Sequence, residues 1–117
     1  MRHRKHHGRR LGRHLGARRQ LLRSLATGLL LHERIRTTAA KARVVRPFVE
    51  RCITLSRVPT LTSRRTLVAS LGNERAVAKL LEVVGPRYRT RPGGYTRTTR
   101  LGRRAGDAAP EVLMELV

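Results

Sequence analysis

The chain alternates between stretches with a helical apolar period and stretches with a period of two. Over 17–32, Leu22, Leu25, Ala26 and Leu29 recur at helical spacing, and Leu21 and Leu30 widen the stripe. Arg18, Arg19 and Arg23 lie off it. This predicts a first helix that buries leucine and shows arginine to water. Residues 33–37, Glu-Arg-Ile-Arg-Thr, alternate as a short strand with Ile35 inward. Thr38 suits the N-cap of a second helix running to about Arg57, with Val45, Phe48, Val49, Cys52 and Leu55 as its stripe. Pro47 lies inside it, lacks a backbone donor, and predicts a kink or a late start.

Pro59 ends that helix, and Ser63 to Leu71 reads as a short one closed by Gly72. Asn73 can cap the next, whose core face is Val77, Leu80, Leu81 and Val84, with Gly85-Pro86 as its stop. Residues 86–94 form a basic loop. Tyr95 to Leu101 is threonine-rich and alternates as a strand. A turn through Gly102, Gly106 and Asp107 leads to a last strand, Val112 to Val117, with Val112, Met114 and Leu116 on one face. The expected fold class is α+β: a small sheet of about three strands packed against helices. The expected organisation is a basic extended arm over 1–16 and a single domain over 17–117. No internal repeat is visible.

Charge changes this picture from a fold into a function. The 117 residues hold 27 Lys plus Arg against 7 Asp plus Glu, a net charge of +20. Only Lys5, Lys41 and Lys79 are lysines, so the rest of the basic residues are arginine. Such a charge repels itself in a free protein and calls for a polyanionic partner. It is concentrated in two acid-free blocks. One is Arg2, Arg4, Lys5, Arg9, Arg10, Arg13, Arg18, Arg19 and Arg23; the other is Arg87, Arg89, Arg91, Arg97, Arg100, Arg103 and Arg104. Arginine grips phosphate bidentately and stacks on bases, so backbone-positioning contacts to RNA are the expected mode.

Other chemistries fare poorly. Cys52 is the lone cysteine and sits on an apolar stripe, so it reads as a buried small hydrophobe. His3, His6, His7 and His14 have no cysteine or acid near in sequence to complete a zinc site. His32 is the remaining histidine, and its neighbour Glu33 would point to the opposite face of a strand, so no catalytic pair forms. Gly93-Gly94 lacks the Gly-Lys-Ser/Thr of a P-loop; it permits a turn or a close backbone approach. No apolar run reaches membrane-spanning length. The three aromatics, Phe48, Tyr88 and Tyr95, are too few for a stacking platform. A transit peptide would also be arginine-rich, but the start lacks serine enrichment, and the motif beginning at Met1 argues against a long presequence. An architectural DNA-binding protein is the alternative, although no recognition helix or minor-groove wedge is evident.

Particular strings narrow the partner. They are Met1-Arg2-His3-Arg4-Lys5, the Leu30 to Ile35 stretch, Thr37-Thr38, Lys41-Ala42-Arg43 and Ile53-Thr54-Leu55. Further on come Gly85-Pro86-Arg87-Tyr88, Gly93-Gly94-Tyr95-Thr96-Arg97, Arg104-Ala105-Gly106-Asp107, Ala109-Pro110 and Glu115-Leu116-Val117. In combination they resemble the bacterial-type large-subunit ribosomal protein seventeen family, from Met1 to Val117. The sequence departs from the family pattern around His6-His7, at Leu11 to Gly16 and at Pro47.

The resemblance implies a non-catalytic structural protein that binds large-subunit rRNA near the mouth of the peptide exit tunnel. It implies rRNA and neighbouring large-subunit proteins as partners, with no cofactor, metal, small-molecule substrate, membrane or homo-oligomer. The implied location is the large ribosomal subunit, in a bacterial cytoplasm or an organelle matrix. The candidate RNA contacts are Arg2, His3, Arg4, Lys5, Arg9, Arg10, Arg13, Arg18, Arg19, Arg36 and Lys41 in the first part. In the second they are Arg87, Arg89, Arg91, Gly93, Gly94, Tyr95, Arg97, Arg100, Arg103 and Arg104. The arm before Ala17 has no apolar period, so its amides are expected to exchange freely without RNA; protection in the free protein, read by hydrogen exchange, would contradict this.

Overall fold

The first helix starts earlier than its apolar stripe requires. In the computed structural model, which describes residues 11–117, α1 is Leu15–His32 and takes in the end of the expected arm. Arg18 N–H bonds the His14 carbonyl at 2.9 Å, so the first turn closes ahead of Ala17. The contact residues expected among 1–10 lie outside the described residues. Ala26, Leu29 and Leu30 are fully buried, as the leucine stripe predicts. The helix stops because Glu33 turns left-handed, at φ 65°, and its N–H closes on Leu29 O at 2.7 Å. Glu33 is therefore a cap and not a strand residue, and β1 is Arg34–Thr38.

Thr38 caps α2 (Ala39–Ser56) through its side-chain oxygen, which accepts from Lys41 N–H at 3.4 Å. The buried stripe is Ala42, Val45, Val49, Cys52, Ile53 and Ser56. Phe48 and Leu55, expected on it, are only half-buried, because the true stripe is rotated toward Ala42 and Ile53. Pro47 causes no late start. Pro47 and Arg43, whose carbonyl loses its helical donor, both face water, which can replace that hydrogen bond.

The third helix, α3 (Leu61–Leu71), begins two residues ahead of Ser63 because Thr60 is the cap, accepting from Ser63 N–H at 3.1 Å. Gly72 closes it at φ 65°. Asn73 caps α4 (Glu74–Lys79), accepting from Ala76 N–H at 3.0 Å. Gly85-Pro86 does not stop this helix. It continues through a π-helical segment, Leu80–Val84, and a last α-turn, Gly85–Arg87. The Gly85 N–H reaches back to Leu80 O, five residues away, which widens the helix just before Pro86. Gly85 is buried against the end of α2. A Cβ there would overlap the Ser56 carbonyl oxygen and stand 2.9 Å from Leu80 O.

Two longer strands finish the chain. They are β2 (Thr96–Arg103) and β3 (Pro110–Leu116), in an antiparallel sheet of order β1-β3-β2. Ile35 and Thr98 both pair with Met114, and the register shifts between Arg100 and Gly102. Val112, Met114 and Leu116 are buried beneath the helices, whereas every residue of β2 after Thr96 is exposed. The α+β class holds, with one face of the sheet covered. Gly85→Ala is expected to destabilise the fold by about 3 kcal/mol, the upper range for overpacking, since backbone lies on two sides; urea denaturation checks it.

Candidate nucleic-acid interface

The arginines divide into those the fold uses and those it leaves outside. The most heavily used acid is Glu33, at the corner between α1 and β1. Its carboxylate pairs with Arg87 (2.5 and 3.1 Å) and with Lys79 (3.2 Å). Its backbone carbonyl accepts from Leu116 N–H at 3.0 Å. The Arg87 hydrogen bond, helped by Lys79 and opposed by burial, holds its carboxyl at about 2 instead of 4.5. The same pair raises the Arg87 guanidinium above its ordinary value. Arg87, a candidate RNA contact, thus ties the end of the fourth helix to the corner between α1 and β1.

Tyr95 needs a correction. Expected at the contact surface, it is fully buried. Its ring lies 5.1 Å from Tyr88, and its hydroxyl is bonded to Thr54 Oγ1 at 3.0 Å and accepts from Arg57 Nη1 at 3.3 Å. Arg57 also donates to Arg89 O at 2.8 and 3.3 Å. Together these hold the 88–95 loop on the end of α2. Tyr88 donates to the Val117 carbonyl. Both tyrosines are anchors and cannot stack on a base without unfolding this end.

Three basic residues outside the candidate contacts cap or clamp helices. Arg23 donates to Ser70 O and Ala69 O, both at 3.1 Å, at the carbonyl end of α3. Lys79 donates to Leu31 O at 2.9 Å at the end of α1. Arg57 is the third. Their signal was weak because each acts across elements that one sequence does not juxtapose.

The other candidates lie outside. Arg36 and Arg97 flank β3 on the face of the sheet away from the helices, where Arg34, also missed, joins them. Arg36 pairs with Glu111 at 2.6 Å, and Arg34 and Arg97 both pair with Glu115 at 3.3 Å. Arg100 and Arg103 extend along β2, and Arg103 donates to Ala108 O at 3.0 Å. Arg104 pairs with Asp107 across the turn, which, with the Ala109 N–H, holds the Asp107 carboxyl at about 2. Arg89 is exposed, and Arg91 donates to Gly93 O at 3.2 Å. Gly94 takes φ +63°, a conformation glycine suits, just before the buried Tyr95. Arg13, Arg18, Arg19 and Lys41 belong to the starts of α1 and α2, apart from this face; Arg13 bonds Leu11 O at 3.0 Å.

Among the described residues no cluster of His, Cys, Asp and Glu could hold a metal. Burial pushes the Cys52 thiol up to about 11, so it stays protonated. Among the described residues no helix is long and apolar enough to cross a membrane. These features define a class: a small, strongly basic α+β protein with an arginine-bearing open sheet face.

Comparison with known proteins makes the class particular. Residues 21–117 match the family model described as Ribosomal protein L17. The chain is similar to large ribosomal subunit protein bL17 of Thermomicrobium roseum, 53% identical over all of this chain and 99% of that one. It is 48% identical to the bL17 of Syntrophotalea carbinolica, over all of this chain and 75% of that one. It is 49% identical to that of Paramagnetospirillum magneticum, over 94% and 79% respectively. The chain belongs to the ribosomal protein L17 family, a family of large-subunit ribosomal proteins that are structural components and not enzymes.

The Glu33 corner predicts an acid limb of stability. A carboxyl whose value is lowered by folding contributes above its unfolded value of 4.5 and loses that contribution as pH falls toward about 2. Glu33→Gln is expected to cost about 1 kcal/mol at neutral pH, the scale of water-screened pairs. It should also flatten the stability profile between 4.5 and 2; denaturation across that range checks both.

Proposed function

We propose that this chain helps build the large ribosomal subunit by binding large-subunit rRNA, near the mouth of the peptide exit tunnel. Its arm, the 87–94 loop and the open sheet face make the contacts. The organisation in this reading is a basic arm over 1–16 and a single domain over 17–117 that includes most of α1.

The observation that carries the reading is the layering of charge on the open face. Glu111 and Glu115 are 12% and 17% exposed, whereas Arg34, Arg36 and Arg97 stand above them at 69%, 68% and 64%. The acids partly neutralise the arginine layer from below and hold its geometry, and the guanidiniums are the most exposed charged groups of that face. A phosphate backbone suits such a layer, since arginines held in place lose less freedom on binding. The tunnel position is supported by the motif resemblance, and the relatives' name, large ribosomal subunit protein bL17, supports the assembly.

Arg97→Ala and Arg89→Ala are expected to weaken incorporation into large subunits and leave the isolated fold intact. Glu115 keeps Arg34 when Arg97 is removed, so no carboxylate is orphaned. Each lost phosphate contact should lower the log–log salt slope of RNA binding by about 1. Sedimentation in graded salt and thermal melting check this. Melting of Arg97→Ala with unchanged RNA binding would assign Arg97 to the fold, and preference for duplex DNA over rRNA in competition would overturn the reading.

A further inference from the structure

The core-facing row of β2 is the wrong chemistry for a core. Thr96, Thr98 and Arg100 stand in register with the buried Leu116, Met114 and Val112. Thr96 is accounted for, since it donates to Glu50 Oε1 at 3.0 Å. Arg100 is exposed on the same side as buried Val112.

Beside Arg100 a cleft opens between the ribbon and the first turns of α2. It has two adjoining parts of about 310 and 240 Å³, which share Ala39, Arg43, Arg100 and Val112. Arg103 lines one part and Arg46 the other. The side chains of Arg43 and Arg100 make no hydrogen bond or ion pair with the described residues. Arg46 is 3.6 Å from Glu50, which Thr96 also engages. The acid that reaches the rim, Glu111, is held by Arg36. The first turn of α2 carries no acid, so its positive end adds to the field.

We infer that this cleft seats the sugar–phosphate backbone of RNA, with Arg43 and Arg100 gripping it from opposite walls. The inference rests on the rRNA-binding reading and adds a second surface, on the other side of the sheet from Arg97. The guanidiniums suit phosphate oxygens, and the floor of Ala39 and Val112 gives a ribose an apolar bed. An acidic peptide would meet the same cations but has no comparable use for that floor.

The test uses the full chain and large-subunit rRNA, comparing wild type, the double variant Arg43→Gln with Arg100→Gln, and each single variant. Both side chains face water, so the melting temperature should not move. The double variant should lower the log–log salt slope by about 1.4 to 1.8, the value for two phosphates, and each single variant by about half of that. An unchanged slope with an unchanged melt overturns the cleft while the wild type's binding still supports the wider reading. Failure of the wild type to bind rRNA overturns that reading itself. Cleft-dependent binding of polyglutamate, with RNA binding indifferent to the variants, overturns the cleft proposal in favour of an acidic protein partner.

Discussion

The corner at Glu33 is the joint on which the other elements hang. One residue there ends α1 by turning left-handed, stands just ahead of β1, receives the N–H of Leu116 from β3, and holds Lys79 and Arg87 from the fourth helix and its final turn. A non-glycine residue in that conformation stores a little strain. Here the strain is offset by the hydrogen bonds and ion pairs that only this conformation brings together. The sheet and the helical layer are thereby fixed to each other at one point, and the placement of the arginine face follows from it.

A protein with so much excess positive charge must also manage its own repulsion. The fold does so by giving several cations local work. Arg23 and Lys79 sit on helix carbonyl ends, and Arg57 clamps the loop that carries Tyr95. Glu33, Glu111, Glu115 and Asp107 each hold at least one arginine. Total charge is therefore a poor measure of binding capacity. What matters is which guanidiniums stay exposed, paired or not, and where the strands display them.

The elements bounded by a cap were legible from sequence because capping is local chemistry. Thr38, Gly72 and Asn73 stand where the unaided pattern puts them. Errors arose where a distant element decided. Gly85-Pro86 is a local stop signal, yet close packing on Ser56 and a wider helical turn carry the chain through it. Phe48 reads as core, but the neighbours of α2 select Ala42 and Ile53 instead. For the candidate site, Arg36 and Arg97 were legible as surface arginines. Their shared acid layer and the part played by Arg34 depend on strand pairing across some eighty residues of chain, between Arg34 and Glu115, and the burial of Tyr95 on its meeting Thr54 and Arg57 of the distant α2 end.

The ribbon has one further consequence. At its Tyr95 end β2 is rooted in the core; from Arg97 to Arg103 it is exposed and held chiefly by its ladder with β3. Stability therefore grades along a single strand, from a root that opens only when the domain opens to a tip that can loosen alone. Such a gradient puts the parts of one strand in an order of opening, the tip first and the root last.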